Sequence, residues 1–207
     1  MVLVRTIHVF IKLVPVILAL RKDRILWIAQ EGKGIDEKRF RRNAQRILNT
    51  CISLGPVFIK FGQWLSSRAD ILPQPYLEEL SKLQDSVPAA SFDKVRPIIE
   101  KDIGKIEEKF DDLDQNSLSG ASLGQVHRAT KNGQQVIVKI KRPGIEKQVE
   151  KDLKVLMKII PLAMKFVDPN LRFSIIPIMK QFADSIHEEM DYTKELDNLK
   201  KIKKNMK

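Results

Sequence analysis

Cysteine is nearly missing: Cys51 is the only one among 207 residues, so the chain cannot close a disulfide on itself. Cys51 lies between Thr50 and Ile52 in an apolar helical pattern, which reads as a buried structural thiol rather than a nucleophile. Histidine is also scarce, with three in the chain. His8, His127 and His187 are far apart, and with one cysteine they make no zinc-ligand spacing and no Ser-His-Asp arrangement. Aromatic residues are only 6% of the chain, and few accompany its basic runs. With no groove-reading motif either, a nucleic-acid binder has little support. The longest clean apolar run near the start, Leu13 to Leu20, is eight residues, well short of the roughly 20 that span a bilayer. No small-residue cleavage site precedes the charged Arg21-Lys22-Asp23-Arg24 stretch, so a signal peptide also reads poorly. There is no internal repeat.

What is present is a core-forming composition with an excess of positive charge. Hydrophobic residues are 43% and charged residues 30%, with a net charge of +11. That excludes a disordered chain and favours an anionic partner: membrane lipid, nucleotide or nucleic acid. The charge gathers at the ends. Residues 1–46 hold eleven Lys/Arg against four Asp/Glu, and Lys200 to Lys207 hold five lysines and no acid. The C-terminal run reads as solvated surface. In Val2 to Leu20 the apolar residues are interrupted by Arg5, His8, Lys12 and Pro15. An interfacial helix, with Arg21, Lys22 and Arg24 near anionic headgroups, fits this pattern, and so does a helix packed on the rest of the protein.

Further along, Asp36 to Arg68 reads mainly as helix with a break at Gly55-Pro56. Phe58, Phe61 and Leu65 fall on one helical face, Lys60, Gln63 and Ser67 roughly opposite. Leu72-Pro73-Gln74-Pro75 ends that segment; Tyr76 to Leu83 is a short helix closed by Val87-Pro88. Ser91 can cap a helix running through Val95 to Ile103. Ser122 to Thr130 and Gln134 to Lys141 are strand-like, and Asn132-Gly133 between them is a strong hairpin signal. Val136, Val138 and Ile140 take one face of the second strand, Ile137 and Lys139 the other. Ile145 to Met164 and Ile178 to Ile202 read as two long helices.

The chemistry-bearing pattern is a small-residue turn, a hairpin, and a lysine in its second strand. In Ser119-Gly120-Ala121-Ser122-Leu123-Gly124-Gln125 small residues let backbone N–H groups approach phosphate oxygens. Lys139 is placed to meet those phosphates, and Glu195, inside a later helix, is the carboxylate that would hold it. Alone the pattern is unspecific, since an edge-strand lysine is usually surface.

Further residues sharpen it. Leu54-Gly-Pro-Val-Phe-Ile-Lys-Phe-Gly-Gln63, followed by Ser66-Ser67-Arg68 and Leu72-Pro73, resembles the signature helix of the UbiB/AarF family of atypical kinases, whose Lys-x-Gly-Gln element is Lys60-Phe61-Gly62-Gln63. The family's alanine-rich loop corresponds to Ser119 through His127, its phosphate lysine to Lys139, and its Glu-x-Asp element to Glu189-Met190-Asp191, with Glu195 and Asn198 after it. The resemblance runs from about Phe40 to Asn198 in consistent order and spacing.

The resemblance implies an α+β fold: an apolar, basic helix over residues 1–30, a helical N-terminal extension over 31–115, and a partial protein-kinase-like N-lobe over 116–207. It implies ATP as ligand, bound by Lys139, Glu195, Ala121, Ser122, Gly124 and Gln125. Lys60, Gln63, Arg68, Glu189 and Asp191 would gate the site, with Lys60 pairing with Glu189. It further implies Mg2+ in a complete member, an ATPase or atypical kinase supporting ubiquinone (coenzyme Q) biosynthesis, and a peripheral place on the cytoplasmic face of the inner membrane or its mitochondrial equivalent. Partners would be an anionic membrane surface and quinone-biosynthesis proteins, or a second chain supplying the C-lobe. The loop departs from the family in having Ser119 and Gly120, and Ile137 replaces a small residue beside the adenine. No Asp-Phe-Gly follows, and Asp168-Pro169-Asn170 precedes the Glu195 helix, in the wrong order for a catalytic loop. A truncated or split product is therefore expected, with a non-catalytic membrane or partner-binding module as the alternative.

Overall fold

The computed structural model describes residues 2–85, 88–167 and 172–206. Val87 and Asp168-Pro169-Asn170 lie outside them. The described chain is mostly helical, with one small antiparallel sheet, and falls into two packed clusters.

The first cluster is mainly helical. α1 (Val2–Ala29) and α2 (Glu37–Leu54) pack with α3 (Pro56–Leu65), α4 (Gln74–Ser81), α7 (Ile145–Val167) and α8 (Arg172–Met190). Asp36 caps α2 by accepting from the Arg39 amide at 3.0 Å. Phe40, Ala44, Leu48 and Cys51 then recur at helical spacing and are all buried. Gly55 takes φ +100°, a conformation that favours glycine, and Pro56 starts α3 at once. This is the break expected at Gly55-Pro56.

α1 runs unbroken through Pro15 for 28 residues. By length and composition it is long and apolar enough to cross a membrane, which the short clean run in the sequence did not suggest. The cations that interrupt the pattern find partners on the body. Arg5 Nε and Nη2 donate to Asp152 of α7 at 2.8 and 2.9 Å, and Nη2 also donates to the Leu54 carbonyl at 2.6 Å. Lys12 reaches Ser53 at 2.9 Å, and Arg24 reaches the Ile71 carbonyl. Buried Asp23 accepts from Tyr76 at 2.7 Å and Asn43 at 2.9 Å and pairs with Arg39 at 2.8 Å. Val9, Leu13 and Val16 supply the apolar contact, each worth roughly 1.5–3 kcal/mol when fully buried. The outer side keeps Leu3, Val4, Ile7, Phe10, Ile11, Leu18, Ile25 and Ile28 in solvent.

The second cluster holds the sheet, in the order β1-β2-β3: β1 (Asp112–Gly120), β2 (Gly124–Lys131) and β3 (Gln134–Lys141). Asn132 at φ +51° and Gly133 at φ +72° make the tight turn between β2 and β3. β1 is an addition to the sequence reading. Its polar sequence DLDQNSLSG has little strand character, and its pairing with β2 shifts register twice, between Leu113 and Ser117 and between Ser117 and Ser119. α5 (Phe92–Ile103) and α6 (Ile106–Lys109) cover one sheet face: Val95, Ile99 and Ile106 pack with Leu113, Ala129 and Ile140. This core therefore crosses the 115/116 boundary drawn from sequence. Ser91 stands at the α5 N-cap, but its side chain makes no capping bond. The opposite sheet face is open, with Ile137 59% exposed.

The Glu195 segment is two helices rather than one. α8 ends at Met190, Asp191 takes φ −90° and ψ 88°, and α9 (Tyr192–Asn205) begins anew. Asp191 accepts from the Thr193 amide at 3.1 Å and the Thr193 hydroxyl at 2.5 Å. A capping aspartate halts one helix and starts the next at an angle that continuous helical periodicity does not foresee.

Candidate functional site

Two ion pairs mark the site. Lys60 Nζ, on α3, lies 2.5 Å from Glu189 Oε2 near the end of α8. Lys139 Nζ, on the open face of β3, lies 2.6 Å from Glu195 Oε2 in the first turn of α9. The break at Asp191 puts the two glutamates on separate helices, so each serves its own lysine. Both pairs are only partly covered: side-chain exposures are 27% and 33% in the first, 34% and 47% in the second. Ion pairs this exposed contribute about 0–1 kcal/mol to stability. Exchanging either glutamate for another anion therefore costs the fold little.

The pairs border adjoining recesses. One, of about 630 Å³, is lined by Lys60, Gln63, Trp64, Ser119 to Ser122, Ser185 and Glu189. The other, of about 570 Å³, is lined by Lys139, Glu188, Glu189, Lys194, Glu195 and Asn198, among others. Both volumes fall within the range of small-molecule sites, and Glu189 belongs to both walls. The small-residue turn and the Lys-x-Gly-Gln helix thus face each other, with a lysine at either end.

Other residues singled out from sequence are engaged differently. Gln125 is fully buried on the covered face of the sheet. Its side chain accepts from the Ala90 amide at 2.8 Å, donates to the Ala90 carbonyl at 3.1 Å and meets His127 Nε2 at 2.9 Å. Gln125 therefore anchors the segment leading into α5 to the sheet, and its side chain turns away from the recess. Gln63 lines the recess but donates to the Leu83 carbonyl at 2.9 Å. Arg68 pairs with Asp70 at 2.6 Å and stacks 4.9 Å over the Trp64 ring, so it reaches the recess only through Trp64. Its bond to Asp70 raises the guanidinium pKa further and lowers that of Asp70. Asp191 acts as a helix cap, and the Thr193 hydroxyl holds its carboxyl below the usual range. Ala121 and Ser122 line the recess, and Ser122 is buried. Gly124 is needed for space: a Cβ there would come 2.4 Å from the Tyr192 hydroxyl and 2.8 Å from the Ile140 carbonyl.

Tyr192 went unnoticed in the sequence, where its only signal was its place directly after the Glu-x-Asp element. Lys139 Nζ sits 4.8 Å and Lys141 Nζ 5.8 Å from its ring centroid. As for metal, no group of three or more His, Cys, Asp or Glu side chains is gathered to hold an ion among the described residues. The described residues therefore hold no ready-made all-protein cage for Mg2+, an ion that usually takes one or two carboxylates together with phosphate and water oxygens.

The family described as "ABC1 atypical kinase-like domain" matches residues 82–207. The chain belongs to this ABC1, or UbiB/AarF, family of atypical kinase-like proteins. It is 38% identical over 184 residues to ACTIVITY OF BC1 COMPLEX KINASE 8, chloroplastic, of Arabidopsis thaliana, covering 86% of this chain and 24% of that protein. It is 40% identical over 154 residues to a "probable protein kinase UbiB" of Marinobacter nauticus, covering 73% of this chain and 28% of that one. The chain thus spans about a quarter of the length of these relatives. A solved structure, the Rv3197–erythromycin complex from Mycobacterium tuberculosis, matches at 28% identity and a TM-score of 0.37, covering 59% of this chain and 32% of that one.

Proposed function

We propose that the paired recesses bind the phosphates of ATP, with Lys139 as the phosphate lysine and Lys60 as a gating cation. The observation that carries this reading is the convergence of the Lys60–Glu189 and Lys139–Glu195 pairs beside the Ser119 to Ser122 turn. In a partly closed recess, an incoming polyphosphate replaces each glutamate as counter-ion, and small residues permit close backbone approach. Ile137, next to Lys139 on the open face, supplies an apolar surface for the base. The matching relatives carry kinase names, and by that kinship we assign an atypical kinase or ATPase role supporting ubiquinone biosynthesis. Phosphoryl transfer and Mg2+ binding then depend on groups beyond the residues described. A labelled-ATP anisotropy titration tests the reading. Saturable binding weakened at least tenfold by Lys139→Met supports it; equal affinity in that variant rejects it.

A second reading, a membrane-docking module, is favoured by α1. Its inner side is bolted to the body by Arg5, Lys12, Asp23 and Arg24, while eight large apolar residues face outward beside exposed Arg21 and Lys22. Such a helix suits lying flat at an anionic surface, with apolar groups in the acyl boundary. This supports a membrane-associated place for the chain. Flotation with anionic vesicles tests it: Ile7→Asp/Ile11→Asp should abolish co-flotation, and unaltered co-flotation rejects the assignment.

A further inference from the structure

We infer that Tyr192 is the positioning residue for Lys139, and that Gly124 is glycine so that this ring can reach the sheet. The inference rests on the nucleotide reading for its functional consequence but not for its geometry. The Lys139–Glu195 pair is about one-third exposed on the lysine side and nearly half on the glutamate side. An ion pair so open to water does not by itself fix a four-carbon side chain in one pose. The Tyr192 ring supplies a second, directional attraction, because a cation within about 6 Å of a ring centroid is drawn to its face. Lys139 and Lys141 project from the same side of β3 and both meet that condition. Lys141 is in turn held by Glu146 at 2.8 Å, so the ring is gripped between two tethered strand residues.

The ring reaches this place because α9 begins at Tyr192, straight after the Asp191 cap. Its hydroxyl fills the space over β2 that any side chain at 124 would occupy. Burial and the nearby Glu195 and Glu189 push the phenol up to about 12. Tyr192 therefore stays neutral at physiological pH, and its hold on Lys139 is that of a ring, not of a phenolate. The Asp191 cap thus sets where the Glu195 helix starts, and the Tyr192 side chain that follows it sets the pose of the partner lysine.

The test uses the nucleotide-free chain with its lysine side chains resolved by NMR. Lys139 ε-methylene resonances should be shifted upfield by the ring and show cross-peaks to Tyr192 ring protons. Tyr192→Leu should remove the upfield shift and Tyr192→Phe should keep it. Labelled-ATP affinity should fall about fivefold in Tyr192→Leu and stay within twofold in Tyr192→Phe, with urea unfolding as the control for folding. Absence of Tyr192–Lys139 cross-peaks in the unaltered chain would overturn the inference, whatever the variants do. Equal loss of affinity in the Phe and Leu variants would also overturn it, since the hydroxyl would then be the active group. A ring-dependent Lys139 shift with no ATP binding in any chain supports the positioning role and removes the nucleotide reading instead.

Discussion

Replacing Asp152 by alanine strikes the contact that binds α1 to the rest of the molecule. The Asp152 side chain is 1% exposed and holds Arg5, whose side chain is 20% exposed, through two charge-assisted bonds. Arg5 keeps the Leu54 carbonyl and lies 5.5 Å over the Phe58 ring, but its charge loses its counter-ion. Breaking a buried pair from one side costs about 3–5 kcal/mol. Arg5 has some access to water, so a loss of about 2–3 kcal/mol is expected. With a urea slope of about 2 kcal/mol/M, the midpoint falls by about 1 M. Replacing both partners with apolar residues, Arg5→Met and Asp152→Leu, should recover most of that loss, because no uncompensated charge remains. A change under about 0.5 kcal/mol in Asp152→Ala, or a double variant as weak as the single, would refute the tether.

Three other outcomes follow from the same structure. Gly62→Ala places a Cβ 2.4 Å from Leu83 Cδ1 and 3.3 Å from Cys51 Sγ, both in buried residues. Overpacking of about 1–3 kcal/mol should outweigh the roughly 1 kcal/mol helix gain, and a higher urea midpoint would contradict this. Burial pushes the Cys51 thiol up to about 12, whereas an unfolded thiol ionises near about 8.5. The folded state then holds its proton more tightly, so stability falls as pH rises above about 8.5. The loss relative to Cys51→Ala should reach about 2 kcal/mol by about pH 10, measured by urea unfolding at each pH; parallel curves would contradict it. The native thiol should also resist labelling by thiol reagents until urea unfolds the chain.

Local signals with a firm physical cause were readable in the sequence. Asn132-Gly133 fixed the hairpin through positive φ, and Gly55-Pro56 fixed a helix break. The alternation of Val136, Val138 and Ile140 separated the two faces of β3, and the packing of α5 and α6 decides that Lys139 is on the uncovered one. Lys60, Lys139, Glu189 and Glu195 came from ordered motifs rather than from periodicity, and the fold sets them in pairs. What escaped were features decided by tertiary context. β1 is polar, only its Leu113 is buried, and its register with β2 slips, so it carries no strand periodicity. The turn at Asp191 is a capping event inside a stretch that is helical on either side. Gln125 sits beside glycine in the small-residue turn, yet strand alternation sends it to the buried side with Ala90 and His127. α1 looked interrupted because Arg5 and Lys12 break its apolar pattern, and their partners, Asp152 and Ser53, are distant in sequence.

The most direct measurement is covalent: an acyl-phosphate derivative of ATP, which acylates lysines near its phosphates, followed by peptide mapping. Labelling should concentrate on Lys139 and Lys60 and be suppressed by excess unmodified ATP. Labelling spread over the exposed Lys200, Lys201, Lys203 and Lys204 run, with no protection by ATP, would contradict the assignment of the recess.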